Sequence, residues 1–197
     1  MPNIIFKGIT KETDSIFDEV NERPQNAKIL NIPPNNMLVS LIFAIPFIIL
    51  CFCLIFVKRR MMNDFPMVRH FIPIGIVLGI LFCFPHELLH AIPQPKGAKV
   101  YIGFVPQKFM FYMKCKEPLS KKRFILMSLL PIMLGIVPLM IFMISNNQTL
   151  NSIMWAMAMI GLVSPSPDYL NVYLVLKQVP KRAFIQDDVD GMCWFIK

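Results

Sequence analysis

The stretch FIPIGIVLGILFCFPHELLHAI, residues 71–92, is apolar throughout except for three ionisable side chains near its end, His86, Glu87 and His90. As a helix rising about 1.5 Å per residue it reaches roughly 33 Å, enough to cross a hydrocarbon core of about 30 Å. Positions i and i+4 share a helix face, so His86 and His90 can present two imidazole nitrogens to one metal ion, with Glu87 beside them. The chain has only three histidines, and two of them are used here. An ionisable residue at the centre of a membrane helix costs about 2.5 to 3.5 kcal/mol on the insertion scale, so a cluster of them is read first as a functional site. The bland alternative is a chance spacing on a helix whose polar groups find partners elsewhere. Pro85 cannot donate to the carbonyl of Leu81, so the helix should bend or restart just before His86. That break either opens room for water beside the histidines or is a packing kink.

Composition places this stretch in a polytopic membrane protein. The chain has 197 residues, 55% of them hydrophobic, and a mean hydropathy of +0.56, too apolar for an ordinary soluble domain. The formal charge of +8 does not point to nucleic acid, because Lys and Arg lie in the segments flanking the apolar runs rather than on one solvated domain. The five cysteines are scattered, without a disulfide framework or zinc-ribbon spacing. A cleavable signal peptide is not expected, since the first apolar run follows some three dozen largely polar residues.

The expected fold is an all-α integral membrane protein of about four transmembrane helices, with a short β-hairpin between the second and third. Residues 1–36 form an N-terminal arm, with a short surface helix over Thr10 to Val20, and close on the breaker cluster Asn31-Ile32-Pro33-Pro34-Asn35-Asn36. Residues 37–176 form the membrane domain, with spans at 37–57 (kinked at Pro46), 71–92, 124–144 and 150–176. The last is interrupted by Ser164-Pro165-Ser166-Pro167-Asp168, and broken helices at membrane depth usually line a site. Lys99 to Phe104 and Lys108 to Cys115 carry β-branched and aromatic residues on either side of Pro106, the pattern of a hairpin. Such a hairpin could offer an edge to an extended substrate. In the tail, residues 177–197, the run from Asp187 to Gly191 reads as a solvated acidic turn, because a calcium loop aligned on its Gly would start at Gln186 and end at Lys197. Counting Lys and Arg, the arm, the long loop and the tail hold 16 against 4 in the other loops, which predicts cytoplasmic N- and C-termini; Lys58, Arg59 and Arg60 dissent.

With that orientation His86 and His90 lie about 22 and 28 Å along the second span, and Asp168 about 27 Å along the fourth. A catalytic zinc site needs three protein ligands and an open position, and a carboxylate is an accepted third ligand. Asp168 is the only acid in the apolar runs besides Glu87, so it is the candidate; the other reading makes it the cap of the helix that restarts after Pro167. Asn171, one turn further on, could orient Asp168 or donate to an oxyanion, or be a buried amide bonded to a neighbouring helix.

A membrane-embedded His-Glu-x-x-His, then an Asp near a helix break two spans later, with a basic loop between, resembles the site-2 proteases. The chain is closer to a small bacterial family of membrane proteins described as putative zincin peptidases, in which the His86 to Ile92 stretch, a loop like Lys99 to Pro118, and the pair Asp168 and Asn171 recur together. The resemblance runs from about Phe71 to the C-terminus and implies zinc, hydrolysis, and peptide substrates in or near the membrane. The Leu-Asp-Gly that site-2 proteases place at the third ligand is absent, since Asp168 lies between Pro167 and Tyr169.

The expected function is that of a membrane zinc metallopeptidase. His86, His90 and Asp168 would hold Zn²⁺, and Glu87 would take a proton from the zinc-bound water and pass it to the leaving amine. Its partners would be the lipid bilayer and a membrane protein or peptide, not nucleic acid. The rival expectation is a non-catalytic membrane protein that uses the same residues for a structural or transported metal.

Overall fold

The computed structural model describes residues 1–10, 23–108, 110–188 and 191–196. Most of the surface helix expected over Thr10 to Val20 lies outside the described residues. Among the described residues, three helical stretches are long and apolar enough to cross a membrane: Asn36–Met62, Arg69–Ala91 and Lys121–Ile144. The fourth apolar run is split into two helices, neither of which alone is long enough to span. The expectation of an all-α chain is corrected, because the described residues also contain seven strands in two sheets.

The chain forms two compact units. The first is helical and holds α1 (Asn36–Met62), α2 (Ile72–Leu81), α5 (Met133–Ile144) and α6 (Gln148–Val163). Proline and glycine explain its layout. α1 runs unbroken past Pro46. α6 packs against α1, α2 and α5, and it can approach closely because small residues meet at the crossings. Gly75 and Gly79 of α2 face Ile153, Ala156 and Ile160 of α6, and a Cβ on Gly79 would stand 2.8 Å from Ile160 Cδ1. At the other crossing a Cβ on Gly161 would meet the Gly135 nitrogen at 2.6 Å. The polar N-terminal end of α6 holds the loop between α1 and α2: Ser152 Oγ accepts from the Val68 N–H at 2.7 Å, and Asn151 Nδ2 donates to the Pro66 carbonyl at 3.1 Å.

Lys58 is the exception in this apolar bundle. It is 1% exposed, and its ammonium donates to the Met143 carbonyl at 2.8 Å, in the last turn of α5. A cation there satisfies an acceptor left over at the helix end and opposes the negative end of the helix dipole. One of the three dissenting charges is thus a helix cap. Replacing Lys58 with Met should lower stability by about 1.5 to 3 kcal/mol, the range for hydrogen bonds to charged groups. Thermal unfolding in detergent reads this directly, and an unchanged midpoint would show that the cap contributes nothing.

The second unit contains both sheets, α3 (Cys83–Ala91), α4 (Lys121–Leu129) and the C-terminal part of α7 (Ser166–Gln178). The expected hairpin is present as β3 (Lys99–Val105) and β4 (Met110–Cys115). It is not a free hairpin, because β1 (Asn3–Ile9) lies parallel to β3 and covers its outer edge, giving the order β1-β3-β4. The core under this sheet is Ala91, Val100 and Ile102, joined by Ile4, Phe84, Leu88, Met113 and Cys115. The second sheet has the order β2-β7-β6-β5, with β2 (Lys28–Ile29), β5 (Leu119–Ser120), β6 (Phe184–Asp188) and β7 (Gly191–Phe195). The tail therefore carries a strand pair where an acidic turn is expected, with residues 189 and 190 outside the described residues.

Two contacts anchor the C-terminal end of α7 in this unit. Lys121 donates to the carbonyls of Leu176 and Val179. Gln178 pairs with the backbone of Asn31 in both directions, accepting from its N–H at 2.9 Å and donating to its carbonyl at 3.0 Å.

Candidate metal centre

The break expected at Pro85 falls one turn earlier. α2 ends at Leu81, Phe82 makes a tight turn by donating to the Gly79 carbonyl at 3.1 Å, and α3 starts at Cys83. Pro85 is then the third residue of α3, where its missing N–H would have had no partner inside that helix. At about 100° per residue, Phe84, Leu88 and Ala91 share one face of α3, while His86 and His90 lie roughly 200° and 240° round from Phe84. The apolar face packs on Val100 and Ile102. Burial of that face therefore turns the two imidazoles to the opposite side.

His90 is buried, and its Nδ1 lies 2.9 Å from the Met127 carbonyl. A carbonyl only accepts, so Nδ1 carries a proton, and in the neutral ring Nε2 is then left with a bare lone pair, the form that binds a metal. Met127 could have been found in the sequence. In a regular helix its carbonyl would accept from residue 131, but residue 131 is proline and has no N–H to give. The bare His90 Nε2 faces His86 Nε2 at 3.0 Å, with the ring planes 83° apart.

Asp168 lies in the first turn of α7, at its third residue. It is therefore not the residue that caps the helix, the alternative role open to it in the sequence. Its position suits a carboxylate, since the helix N-terminus favours negative charge. Asn171 follows one turn later on the same helix. His86 and His90 lie together in one of the two units, and Asp168, in the N-terminal part of α7, belongs to the other. Two imidazoles and a carboxylate are a common donor set of catalytic zinc, and with the His90 tautomer fixed the residues fit that ion. Glu87 is half-buried on the same helix turn as His86.

Burial pushes the Cys115 thiol above its ordinary value. It therefore stays protonated at neutral pH and is a poor nucleophile.

A family model described as "Putative zincin peptidase" matches residues 79–184. That range contains α3, the β3–β4 hairpin, α4, α5, α6 and α7. No curated protein and no solved structure matches the chain.

Proposed function

The chain belongs to the family of putative zincin peptidases, and from that premise we propose that it is a membrane-embedded zinc metallopeptidase cutting a peptide bond of a membrane or membrane-proximal protein. The observation that carries the reading is the pair His86 and His90, inside the matched segment, with their Nε2 atoms 3.0 Å apart and the His90 Nδ1 held by the Met127 carbonyl. His86, His90 and Asp168 would hold zinc, which when bound supplies a Lewis acid that acidifies water and polarises a peptide carbonyl. Glu87 would do the proton work: its carboxylate accepts a proton from the attacking water and delivers it to the nitrogen of the leaving amine. The Met127 carbonyl keeps the proton on His90 Nδ1, so that Nε2 remains a ligand. Asn171 would orient the Asp168 carboxylate or donate to the oxyanion that develops on the scissile carbonyl.

The proposed setting is the cell membrane, with both termini in the cytoplasm. The excess of basic residues in the arm, the long loop and the tail supports it; with three apolar helices, it further requires that the broken fourth run carry the chain back across the membrane. Reporter tags at either end should be protected from an external protease, while a tag between Asn146 and Gln148 should be cut. Cleavage of the terminal tags in intact cells would overturn this orientation and the cytoplasmic-side site with it. The reading as a whole is tested by metal analysis of the purified protein together with profiling of new N-termini in membranes of cells that express it.

A further inference from the structure

The family match begins at residue 79, so it includes the β3–β4 hairpin but not β1, the strand that lies along it. β1 is tied to β3 through the parallel register Asn3↔Lys99 to Ile9↔Phe104, and a few of its side chains add to that pairing. Ile4 packs into the core beneath the sheet, and Phe6 meets Phe84 with ring centroids 6.0 Å apart. Phe6 nevertheless remains 61% exposed and Ile9 77% exposed. The strand is thus held by main-chain pairing, by Ile4 and Phe6 at alternate positions and by Lys7, whose ammonium lies over the Tyr101 ring at 5.1 Å; main-chain pairing with alternate side chains is how an added peptide strand is recognised.

Two details concern how β1 is seated. Gly103, in the middle strand, leaves room for the Tyr112 ring, whose hydroxyl would lie 2.6 Å from a Cβ placed there. Tyr112 reaches across that gap to Thr10, hydroxyl to hydroxyl at 3.2 Å. The register slips between Phe6 and Gly8, and Gly8 has φ +68°, so the strand bends just before this latch. Phe84, the ring that Phe6 touches, lies two residues before His86 on α3. An occupant of the edge therefore rests on the helix that carries the candidate ligands.

We propose that the outer edge of β3 is a docking surface for an extended peptide, and that residues 3–9 of the chain occupy it as a built-in stand-in. The peptide that fits runs parallel to β3 and carries large apolar side chains at the places of Ile4 and Phe6. That such a peptide is also the substrate rests on the peptidase reading above. A tethered strand competes at an effective concentration of the order of millimolar, so a free peptide at micromolar concentration gains access only when β1 is loosened.

The test uses the full chain in detergent and a fluorescent peptide with the sequence NIIFKGI of residues 3–9. Ile4→Asp places a charge where Ile4 meets the core and should release β1. Ile5→Cys with Tyr101→Cys joins partners in the register and should lock β1 in place when oxidised, with wild-type protein given the same oxidation as control. Peptide affinity should rise about tenfold or more in Ile4→Asp and vanish in the oxidised double-cysteine protein. Cleavage of membrane proteins should fall about tenfold on oxidation and return on reduction. Equal peptide binding and equal cleavage in the oxidised and reduced forms would overturn the proposal and make β1 a permanent third strand, with the peptidase reading intact. If peptide binding follows the lock while nothing is cleaved in any form, the docking surface stands and the peptidase reading fails. Should Ile4→Asp not fold, the comparison of oxidised with reduced protein decides alone.

Discussion

Replacing Glu87 with Gln leaves the zinc content of the purified protein unchanged and lowers cleavage by roughly 10²- to 10⁴-fold, the usual contribution of a general acid–base group. The two side chains have nearly the same shape, so the packing of α3 on the sheet is undisturbed, and only the ability to take up and release a proton is lost. Glu87 is not one of the three side chains proposed as ligands, which is why metal retention is expected. The measurement also separates the two classes of function open to this chain. A structural or transport site has no use for a general base. Cells carrying Glu87→Gln should lose the set of new N-termini produced by the wild type; an unchanged set would assign the base to another residue or remove the enzyme altogether.

The second large effect is expected at Asp168. Removing outer-shell partners of a metal site typically costs 10- to 100-fold in affinity, so losing a direct ligand should cost at least roughly 100-fold. Asp168→Ala should therefore reduce zinc occupancy about as far as His86→Ala does, whereas Glu117→Ala, at an exposed acid in the turn after β4, should leave it unchanged. Titration of the purified variants with zinc in the presence of a competing chelator measures this without any substrate. If Asp168→Ala binds zinc like the wild type, the third ligand is not this carboxylate and the proposed site loses its carboxylate arm.

What could be read from the sequence was local. The spacing of His86 and His90 on one helix, the break near Pro85, the interruption at Ser164 to Pro167 and the hairpin around Pro106 each depend on residues within a few positions of one another. The two sheets depend on partners far apart in the chain. Asn3 pairs with Lys99 and Lys28 with Trp194, and nothing in Asn3 to Ile9 indicates which strand it will join. The tail is a different kind of miss. Phe184-Ile185 and Cys193-Trp194-Phe195 stand on either side of Asp190-Gly191, a strong hairpin signal, which the acids of the same stretch obscured. Asp168 is reached from the sequence only by elimination, as the one acid in the apolar runs besides Glu87, and by its matching depth, since no local pattern links it to histidines some eighty positions away.

The Met127 carbonyl has a consequence for how this site varies. A hydrogen-bond acceptor supplied by the main chain is present whatever side chain stands at position 127, so substitution there leaves the His90 proton where it is. Position 131 is the reverse case. It has no ligating atom, yet any residue other than proline brings an N–H that competes for the same oxygen. A mutational scan would thus rank the residue that touches His90 as tolerant and one four places further along as intolerant. Part of the encoding of the metal site lies at a position that no inventory of donor atoms would include.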